Sequence, residues 1–497
     1  MSTASDADSR AGTRPGSVFV RIAAGFLLAY TAWAWAGLRP SFHWVGVAAA
    51  AVLLAGLFRY VPRALARDPV FYLGVAFLGL LAIQWANAGR ELYFDVGYQK
   101  WMYTLPRWPG WPSAFARQDA LQMLAWFFPA WVVALAFRGR ILSLRETRRL
   151  LRFLACNAGL LAIFGIIQMA SGTGSIYWTQ PLGGHFFASF AYCNHAGPFF
   201  VLTGALAAGL LLAELLETRD IQTGRIPQHL PHPGRVAVLA AALLLCLAGA
   251  VLGFSRTGII LAGGLALFTL VYGWARGWRI LSPARRLNLA ALTLAGVASL
   301  GFLIVGFGEK GVRKEFSRQP LPPGMDQPTT WERIDLELSH RPLWARAALR
   351  SWREQPWFGL GGWGYKYRVA EHVPGKYWKS LEKSGGGANV HVDFLQFLAE
   401  FGVVGISLIL GAVGVMLSDW FRPGVHRGAL WTLGGCGIAL TVAASAVDIP
   451  FRSPAILYTW LAVLAAVPQA CAQAHPRWGA STRGGLGEPA LPMDRKR

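Results

Sequence analysis

Long apolar blocks separated by short basic segments run through most of this 497-residue chain. This alternation limits the possible fold more than any other feature. A membrane-spanning helix needs about 20 mostly apolar residues, and twelve blocks approach that length. Only 14% of the residues are charged, against roughly 25% in an average soluble domain. We therefore predict an all-α polytopic membrane protein with about twelve transmembrane helices.

One long polar segment interrupts the helical blocks. Within it, apolar residues such as Leu343, Ala347 and Trp352 recur at helical spacing, so we expect the segment to be partly helical. The predicted order is a cytoplasmic N-terminus (1–17), nine helices (18–307), the long periplasmic loop (308–390), three helices (391–472) and a disordered cytoplasmic tail (473–497).

The distribution of basic residues predicts the orientation. If the N-terminus is cytoplasmic, the inner segments hold 25 Lys and Arg residues and the short outer loops hold seven. Short loops rich in Lys and Arg stay in the cytoplasm. This count favours a bacterial inner-membrane protein with both termini cytoplasmic and with the 308–390 loop outside.

The formal net charge of +22 raises the possibility of nucleic-acid binding. The basic residues separate the apolar blocks and form no distinct basic domain, so a nucleic-acid partner is not expected. The five cysteines lie in or beside apolar stretches without CxxC spacing, and no Asp/His cluster has metal-ligand spacing. The sequence therefore indicates no disulfide framework, no metal site and no cofactor.

Two outer segments have open interpretations. The 308–390 loop carries a net charge of +5, which suits either a solvated lid or a site for an anion such as a phosphate. The segment at about 89–117 is rich in aromatic residues. We interpret it as an interfacial aromatic belt in preference to a sugar-stacking surface.

The helix after the long loop begins with His391, Asp393, Gln396 and Glu400. Such residues are costly in lipid and usually face a cavity or a partner. His391 lies at the outer boundary, where an imidazole can act as a general base, although a simple interfacial histidine fits the position too. Glu400 lies nine residues later on roughly the opposite azimuth, which indicates a different part of any site.

Three further polar clusters fall on the same outer side. They are FSRTG with Arg256, ASFAYCNHAG with Asn194 and His195, and VDIPFRSP with Asp448 and Arg452. An arginine at a hairpin can reach along apolar surface to water or can present its planar guanidinium to phosphate oxygens. The gathering of these clusters on one side favours a single site.

Together, these stretches resemble the O-antigen ligase and polymerase superfamily of bacterial membrane glycosyltransferases. VHVDFLQFLAEFGVVG is similar to the family segment that begins with a histidine and ends in GxxG, here Gly402 and Gly405, with Val392 in place of the usual polar residue. FSRTG resembles the family's Ser-Arg segment. The loop from Arg341 to Gly359 resembles the segment that carries a second arginine.

Two more pieces extend the resemblance over roughly 186–470. ASFAYCNHAGPF resembles the family's Asn-His helix start, and AVDIPFRSPA resembles its Asp-Phe-Pro block, with Ile449 in place of phenylalanine. Each piece is short, but all five occur in the family's order around a long outer loop.

The resemblance implies transfer of a glycan from an undecaprenyl-diphosphate carrier, at the outer face of the inner membrane, in lipopolysaccharide or exopolysaccharide assembly. The implied acceptor is another glycan chain, lipid A–core or a protein. The implied mechanism is inverting and metal-independent. The implied roles are general base for His391, diphosphate binding for Arg256 and Arg341, and support for Asn194, His195, Glu400 and Asp448.

Two alternatives belong to other functional classes. A transporter or flippase for an anionic glycolipid would also have twelve spans, but the sequence shows no internal repeat and no charged path through the bilayer. A scaffold for a polysaccharide assembly complex would make Arg256 and His391 dispensable.

Overall fold

The structure is a computed structural model that describes residues 15–182, 185–217, 232–317, 340–378 and 389–472. Ten of its helices are long and apolar enough to cross a membrane, and two more apolar helices have 17 residues each. These twelve are α1 (Pro15–Trp33), α2 (Pro40–Tyr60), α4 (Pro69–Ala86), α5 (Arg117–Arg138), α6 (Leu144–Ala170), α7 (Cys193–Leu216), α8 (Pro233–Leu252), α9 (Arg256–Ile280), α10 (Pro283–Phe316), α13 (Asp393–Ser418), α14 (Ala429–Ser445) and α15 (Pro454–Ala470). The predicted all-α polytopic fold is confirmed.

The remaining elements are short. They include α3 (Pro62–Leu65), α11 (Arg341–Glu354), α12 (Tyr365–Arg368), the hairpin of β1 (Leu92–Asp95) and β2 (Lys100–Tyr103), and the pair β3 (Ser175–Ile176) and β4 (Gln180–Pro181). Five 3-10 turns lie at Trp35–Gly37, Val369–His372, Gly375–Tyr377, Asp419–Phe421 and Pro450–Arg452.

Helix α7 lies at the centre of the bundle, between α8, α9 and α14, and is buried along most of its length. Its crossing with α9 is very close, because a Cβ added at Gly197 would lie 2.5 Å from the Cα of Gly258. Small residues let membrane helices approach in this way. The first turns of α7 and α9 are therefore held side by side.

The ends of two helices differ from the apolar blocks in the sequence. Helix α10 continues to Phe316, nine residues beyond the block that ends at 307. Helix α7 begins at Cys193, seven residues after the start of its block at 186. A hydropathy block marks the lipid-buried part of a helix, whereas helical hydrogen bonding can continue into water and can begin after a folded apolar loop. The predicted disordered tail, 473–497, lies outside the described residues.

The long polar segment is partly helical, as predicted. Helix α11 packs Trp344 and Ala348 into a small apolar cluster with Tyr365 and Val390. The Tyr365 hydroxyl donates a hydrogen bond of 2.9 Å to the carbonyl oxygen of Trp344. This cluster seats α11 on the segment that leads into α13.

Helix α13 is broken at Gly402, whose φ of +64° and ψ of −171° are not helical. The loop after α11 fills the break. Four backbone hydrogen bonds join them: Val403 N to Pro356 O (2.8 Å), Val404 N to Trp357 O (3.0 Å), Leu360 N to Ala399 O (2.9 Å) and Gly361 N to Glu400 O (2.8 Å). Backbone groups freed inside a membrane protein must find protein partners. The FGLGG and EFGVVG motifs thus form one joint, which we call the Gly402 joint.

Contacts between helix ends define two faces of the bundle. Arg138 at the end of α5 pairs with Asp68 before α4, at 2.7 Å, and with Asp419 after α13. On the same face, Arg148 near the start of α6 donates to the carbonyl of Ala470 at the end of α15. We call this the basic face, because the segments assigned to the cytoplasm by their Lys and Arg content end here. The opposite face carries α11 and the Gly402 joint.

Candidate active site

The Asp448 carboxylate, in the turn between α14 and α15, is the centre of a polar cluster opposite the basic face. Its Oδ1 lies 3.3 Å from Nδ1 of His391, and its Oδ2 accepts a hydrogen bond of 2.5 Å from the Asn194 amide. The Tyr192 hydroxyl lies 3.3 Å from Oδ1, and the backbone N–H of Ile449 donates to the same oxygen. Residues that are distant in sequence therefore meet at one carboxylate.

His391 reaches this carboxylate from a strained turn just before α13. Its φ is +57°, in the left-handed region that non-glycine residues rarely adopt. The turn is fixed because the side-chain oxygen of Gln396 accepts a 2.7 Å hydrogen bond from the N–H of Val390. Backbone strain of this kind persists where surrounding contacts fix it, and such positions cluster at functional sites.

Arg341, the first residue of α11, completes the cluster from the side facing water. One terminal nitrogen of its guanidinium lies 3.4 Å from Oδ2 of Asp448, and the other donates to the carbonyl of Val447. The guanidinium has five N–H donors, so donors remain for another anion. The sequence suggested that His391, Arg341, Asn194 and Asp448 share a site, and the structure brings all four together.

The charges around Asp448 keep it ionised. Burial alone would raise the pKa of its carboxyl, but the hydrogen bond and electrostatic attraction of His391, together with the positive charge of Arg341, outweigh burial and lower the pKa below its ordinary value. Burial raises the pKa of the Tyr192 phenol well above its usual range, and the negative charge of Asp448 adds to that effect. Tyr192 therefore stays a hydrogen-bond donor.

An ionised carboxylate can only accept hydrogen bonds, so Nδ1 of His391 carries the proton in this pair. In the neutral ring, Nε2 is then left with a free lone pair. The side chain of His391 is 27% exposed, whereas that of Asp448 is 2% exposed. The arrangement presents one basic nitrogen toward solvent and orients it from behind, as a carboxylate does for a catalytic histidine.

His195 lies beside the cluster but does not join it. Its Nε2 lies 3.1 Å from the carbonyl oxygen of Ile449, and its ring packs edge-on against Tyr192. The side chain is buried. His195 therefore holds the turn that carries Asp448.

Arg256 begins α9, next to the start of α7. Its Nε donates a 2.7 Å hydrogen bond to the carbonyl of Glu315 near the end of α10. The first turn of α9 packs against that of α7, where Gly197 meets Gly258. Arg256 therefore lies near the helix start that carries Asn194, without a direct contact to Asp448 among the described hydrogen bonds and ion pairs.

Glu400 belongs to a second, fully buried cluster in α13. It forms an ion pair with Arg452 and accepts a 2.6 Å hydrogen bond from the amide of Gln396. The Arg452 guanidinium also lies 4.5 Å from the ring centroid of Trp363. Gln396 also holds the turn that carries His391, so this buried cluster stabilises the position of His391. His391 precedes the first turn of α13, so the opposite azimuth predicted for Glu400 on a shared helix does not apply.

Sequence reasoning did not single out Tyr192 or Gln396 as functional. Tyr192 lies two residues before Asn194, within the ASFAYCNHAG stretch that was singled out for Asn194 and His195, and this position was the available signal. Gln396 was noted only as a polar residue, since nothing in the sequence shows that its side chain reaches back to Val390.

An apolar groove runs from the site along the lipid side of the bundle. It has a volume of about 400 Å³ and is lined by α4, α5, α13, α14 and α15. Apart from tryptophans, its polar lining consists of Asp393 and Ser445, both at the site end. Phe394, Leu410 and Leu417 on its rim stay exposed, so this lateral groove opens toward lipid.

Comparison with known families identifies one part of the chain. A model of the family described as O-antigen ligase matches residues 241–410. This match supports the O-antigen ligase and polymerase superfamily that the sequence motifs resemble. The match covers Arg256, Arg341 and His391, whereas Asn194 and Asp448 lie outside it.

The match to the O-antigen ligase family indicates a ligase-type glycosyltransferase that uses a lipid-linked glycan in polysaccharide assembly. Together with the apolar helices, it makes the chain a multi-pass membrane protein. No curated protein matches the chain.

Proposed function

We propose that this protein transfers a glycan from an undecaprenyl-diphosphate carrier to an acceptor hydroxyl at the periplasmic face of the inner membrane. The observation that carries the proposal is the pairing of His391 with Asp448 at the end of a lipid-facing groove. The His391–Asp448 pair can activate an acceptor hydroxyl, and the groove can hold the lipid of the donor. The acceptor is another glycan chain, lipid A–core or a protein.

The lateral groove supports a polyprenyl carrier. Its lining reaches along α13 from Asp393 to Leu417. These residues lie on both sides of the break at Gly402, so the groove follows both parts of α13 across the apolar bundle. A carrier chain in the groove would place its diphosphate near the polar end, beside the cluster around Asp448.

In the proposed reaction, Nε2 of His391 removes the proton of the acceptor hydroxyl. The acceptor oxygen then bonds to the anomeric carbon from the face opposite the carrier, and the bond between that carbon and the phosphate oxygen breaks. The electron pair leaves with undecaprenyl diphosphate, so the configuration of the sugar is inverted. General-base catalysis of this kind contributes about 10²–10⁴-fold.

Arg341 and Arg256 are the proposed diphosphate ligands. Arg341 contacts Asp448, and Arg256 begins α9 beside the start of α7. In the proposal, their guanidinium groups stabilise the charge that develops on the leaving group. Preorganised donors aimed at such charge are a large part of catalysis. In this proposal the two arginines supply the positive charge that a metal ion provides in other transferases.

The decisive experiment compares His391→Ala with His426→Ala in cells that make the surface glycan. His426 lies on the basic face, 3.7 Å from Glu217, and serves as the matched control. We expect His391→Ala to lower transfer by about 10²–10⁴-fold and to leave glycan-loaded carrier on the outer leaflet. His426→Ala should keep the wild-type rate.

Carrier analysis and immunoblots of membrane fractions measure these outcomes. Wild-type transfer by His391→Ala at normal membrane levels would refute the general base. Loaded carrier on the inner leaflet would instead indicate a flippase.

A further inference from the structure

A cleft with aromatic walls and a charged floor lies on the site face, outside the active site. It has a volume of about 620 Å³ and is bounded by β2, the segment 104–113 and the turn after α11. The indoles of Trp101, Trp111 and Trp357 line it and remain 65%, 62% and 66% exposed. We call it the aromatic cleft.

The floor of the aromatic cleft is built from charged and amide groups that hold one another in place. Arg90 donates to Gln355 at 3.3 Å, and Arg368 pairs with Glu354 at 2.5 Å and with Glu371 at 3.0 Å. The Nε donors of both arginines have no hydrogen-bond partner among the described residues. These two Nε atoms are buried. The side chains of Arg368, Glu354 and Glu371 stay 23%, 38% and 45% exposed, so the floor offers a guanidinium and two carboxylates side by side.

This lining argues against an aromatic belt at the cleft. Belt residues place rings among lipid headgroups, and a floor of partly buried ions facing lipid would be costly. A saccharide matches both halves of the cleft, because its C–H faces stack on indole rings and its hydroxyls pair with charged and amide groups. Pockets with large apolar surfaces and a few fixed polar groups are typical of ligand sites.

Helix α11 links the aromatic cleft to the active site. Its first residue, Arg341, contacts Asp448, and its last, Glu354, lines the cleft. Thirteen helical steps of 1.5 Å place the two ends roughly 20 Å apart. A glycan of several sugar units can span that distance.

We propose that the aromatic cleft is a saccharide-binding subsite, which holds an oligosaccharide segment of the glycan substrate at the end of α11 far from Arg341. This inference rests on the proposed function and adds to it a second contact with the substrate. The oligosaccharide belongs to the lipid-linked donor or to a glycan acceptor, and both present the same chemistry to the cleft.

The test measures binding directly, with the full chain in lipid nanodiscs. The probe is the oligosaccharide released by mild acid from the lipid-linked glycan of the host cell. Trp111→Ala and Trp357→Ala remove exposed rings, so the fold should not change. Trp278→Ala is the control, since Trp278 is 61% exposed on α9 and does not line the cleft.

We expect titration calorimetry to show millimolar or tighter binding by the wild-type chain and by Trp278→Ala. Either cleft variant should weaken binding by about tenfold, the effect of removing one aromatic anchor. Equal affinity in all variants, or no binding by the wild-type chain, would overturn the subsite.

Two further arms separate this inference from the proposed function and identify the source of the glycan. His391→Ala should bind the probe normally while failing in transfer. A wild-type transfer rate in that variant would contradict the proposed function but not the subsite.

In transfer assays, the cleft variants should raise KM with little change in kcat. An increase in KM only for long-glycan donors assigns the cleft to the donor, and an increase only for long-glycan acceptors assigns it to the acceptor. No increase for either would count against the subsite.

Discussion

Asp448 accepts hydrogen bonds or an ion pair from His391, Asn194, Tyr192 and Arg341, which come from three other segments of the chain. A buried carboxylate is stable only when its oxygens are satisfied by such donors. The sequence marked Asp448 only as a supporting residue. Its central position depends on packing between α7, α11 and α13, which a motif in the turn after α14 does not encode.

The orienting role of Asp448 leads to our first residue-scale prediction. In Asp448→Asn, the side-chain amide can donate to Nδ1 of His391, so the ring proton moves to Nε2 and the base is lost. We expect transfer to fall by about 10²–10⁴-fold, with normal membrane levels. Asp95→Asn, on the hairpin of the same face, makes the same chemical change as a control and should stay active.

The pH dependence of unfolding gives a second measurement on the same variant. Because the folded-state pKa of Asp448 is lowered, its contribution to stability is complete above the unfolded pKa of about 4 and is lost as pH falls through the folded value. Asp448→Asn should therefore lose less stability than the wild-type chain on acidification below about pH 4. Identical pH profiles would contradict the lowered pKa.

At the scale of elements, the Gly402 joint connects the loop after α11 to α13 by four backbone hydrogen bonds. The sequence contains both glycine motifs, and their resemblance to a family pattern was visible. Their mutual contact was not, since the hydrogen-bonded residues are 39 to 47 positions apart and the break in α13 leaves no trace in hydropathy. The apolar blocks themselves were reliable, because about 20 apolar residues in lipid have few alternatives to a helix.

The joint gives an element-scale prediction. A Cβ at Gly402 would lie 2.3 Å from the carbonyl oxygen of Trp357, and one at Gly359 would lie 2.4 Å from the carbonyl carbon of Glu400. Both glycines also have positive φ. We expect Gly402→Ala and Gly359→Ala to lower the free energy of unfolding by about 2–4 kcal/mol each.

Thermal unfolding in detergent measures this effect, with Gly414→Ala as the control in the same helix. No atom lies within 4 Å of a Cβ at Gly414, and alanine favours helix more than glycine does. That variant should equal or exceed the wild-type melting temperature. A Gly402→Ala chain as stable as Gly414→Ala would mean that the loop does not occupy the break.

At the scale of the whole molecule, the two faces carry different chemistry. The cluster around Asp448 and the aromatic cleft share one face, and the ion pairs of Arg138 lie on the other. The count of basic residues assigned the first face to the outside, and that assignment stays a prediction. The aromatic-belt interpretation of segment 89–117 is the alternative to the saccharide subsite proposed for the cleft that this segment forms with the turn after α11.

Single cysteines in a cysteine-free chain test this orientation. Tyr98→Cys lies on the hairpin of the site face, where Tyr98 is 73% exposed. Arg63→Cys lies on α3, in a basic segment assigned to the cytoplasm, where Arg63 is exposed. We expect a membrane-impermeant maleimide to label position 98 in intact spheroplasts, and position 63 only after permeabilisation. The reverse pattern would place the site in the cytoplasm.

The attachment of α11 at both ends determines how the lipid carrier can enter and leave the site. One end is bound at Val447 and Asp448, and the loop after the other end is locked into α13. Because α11 is held at both ends, it cannot rotate away from the site. In the proposed reaction the lipid therefore enters and leaves laterally, in the plane of the bilayer. The glycan-loaded carrier and the carrier product then use the same groove, so a new donor can bind only after the product has dissociated from it.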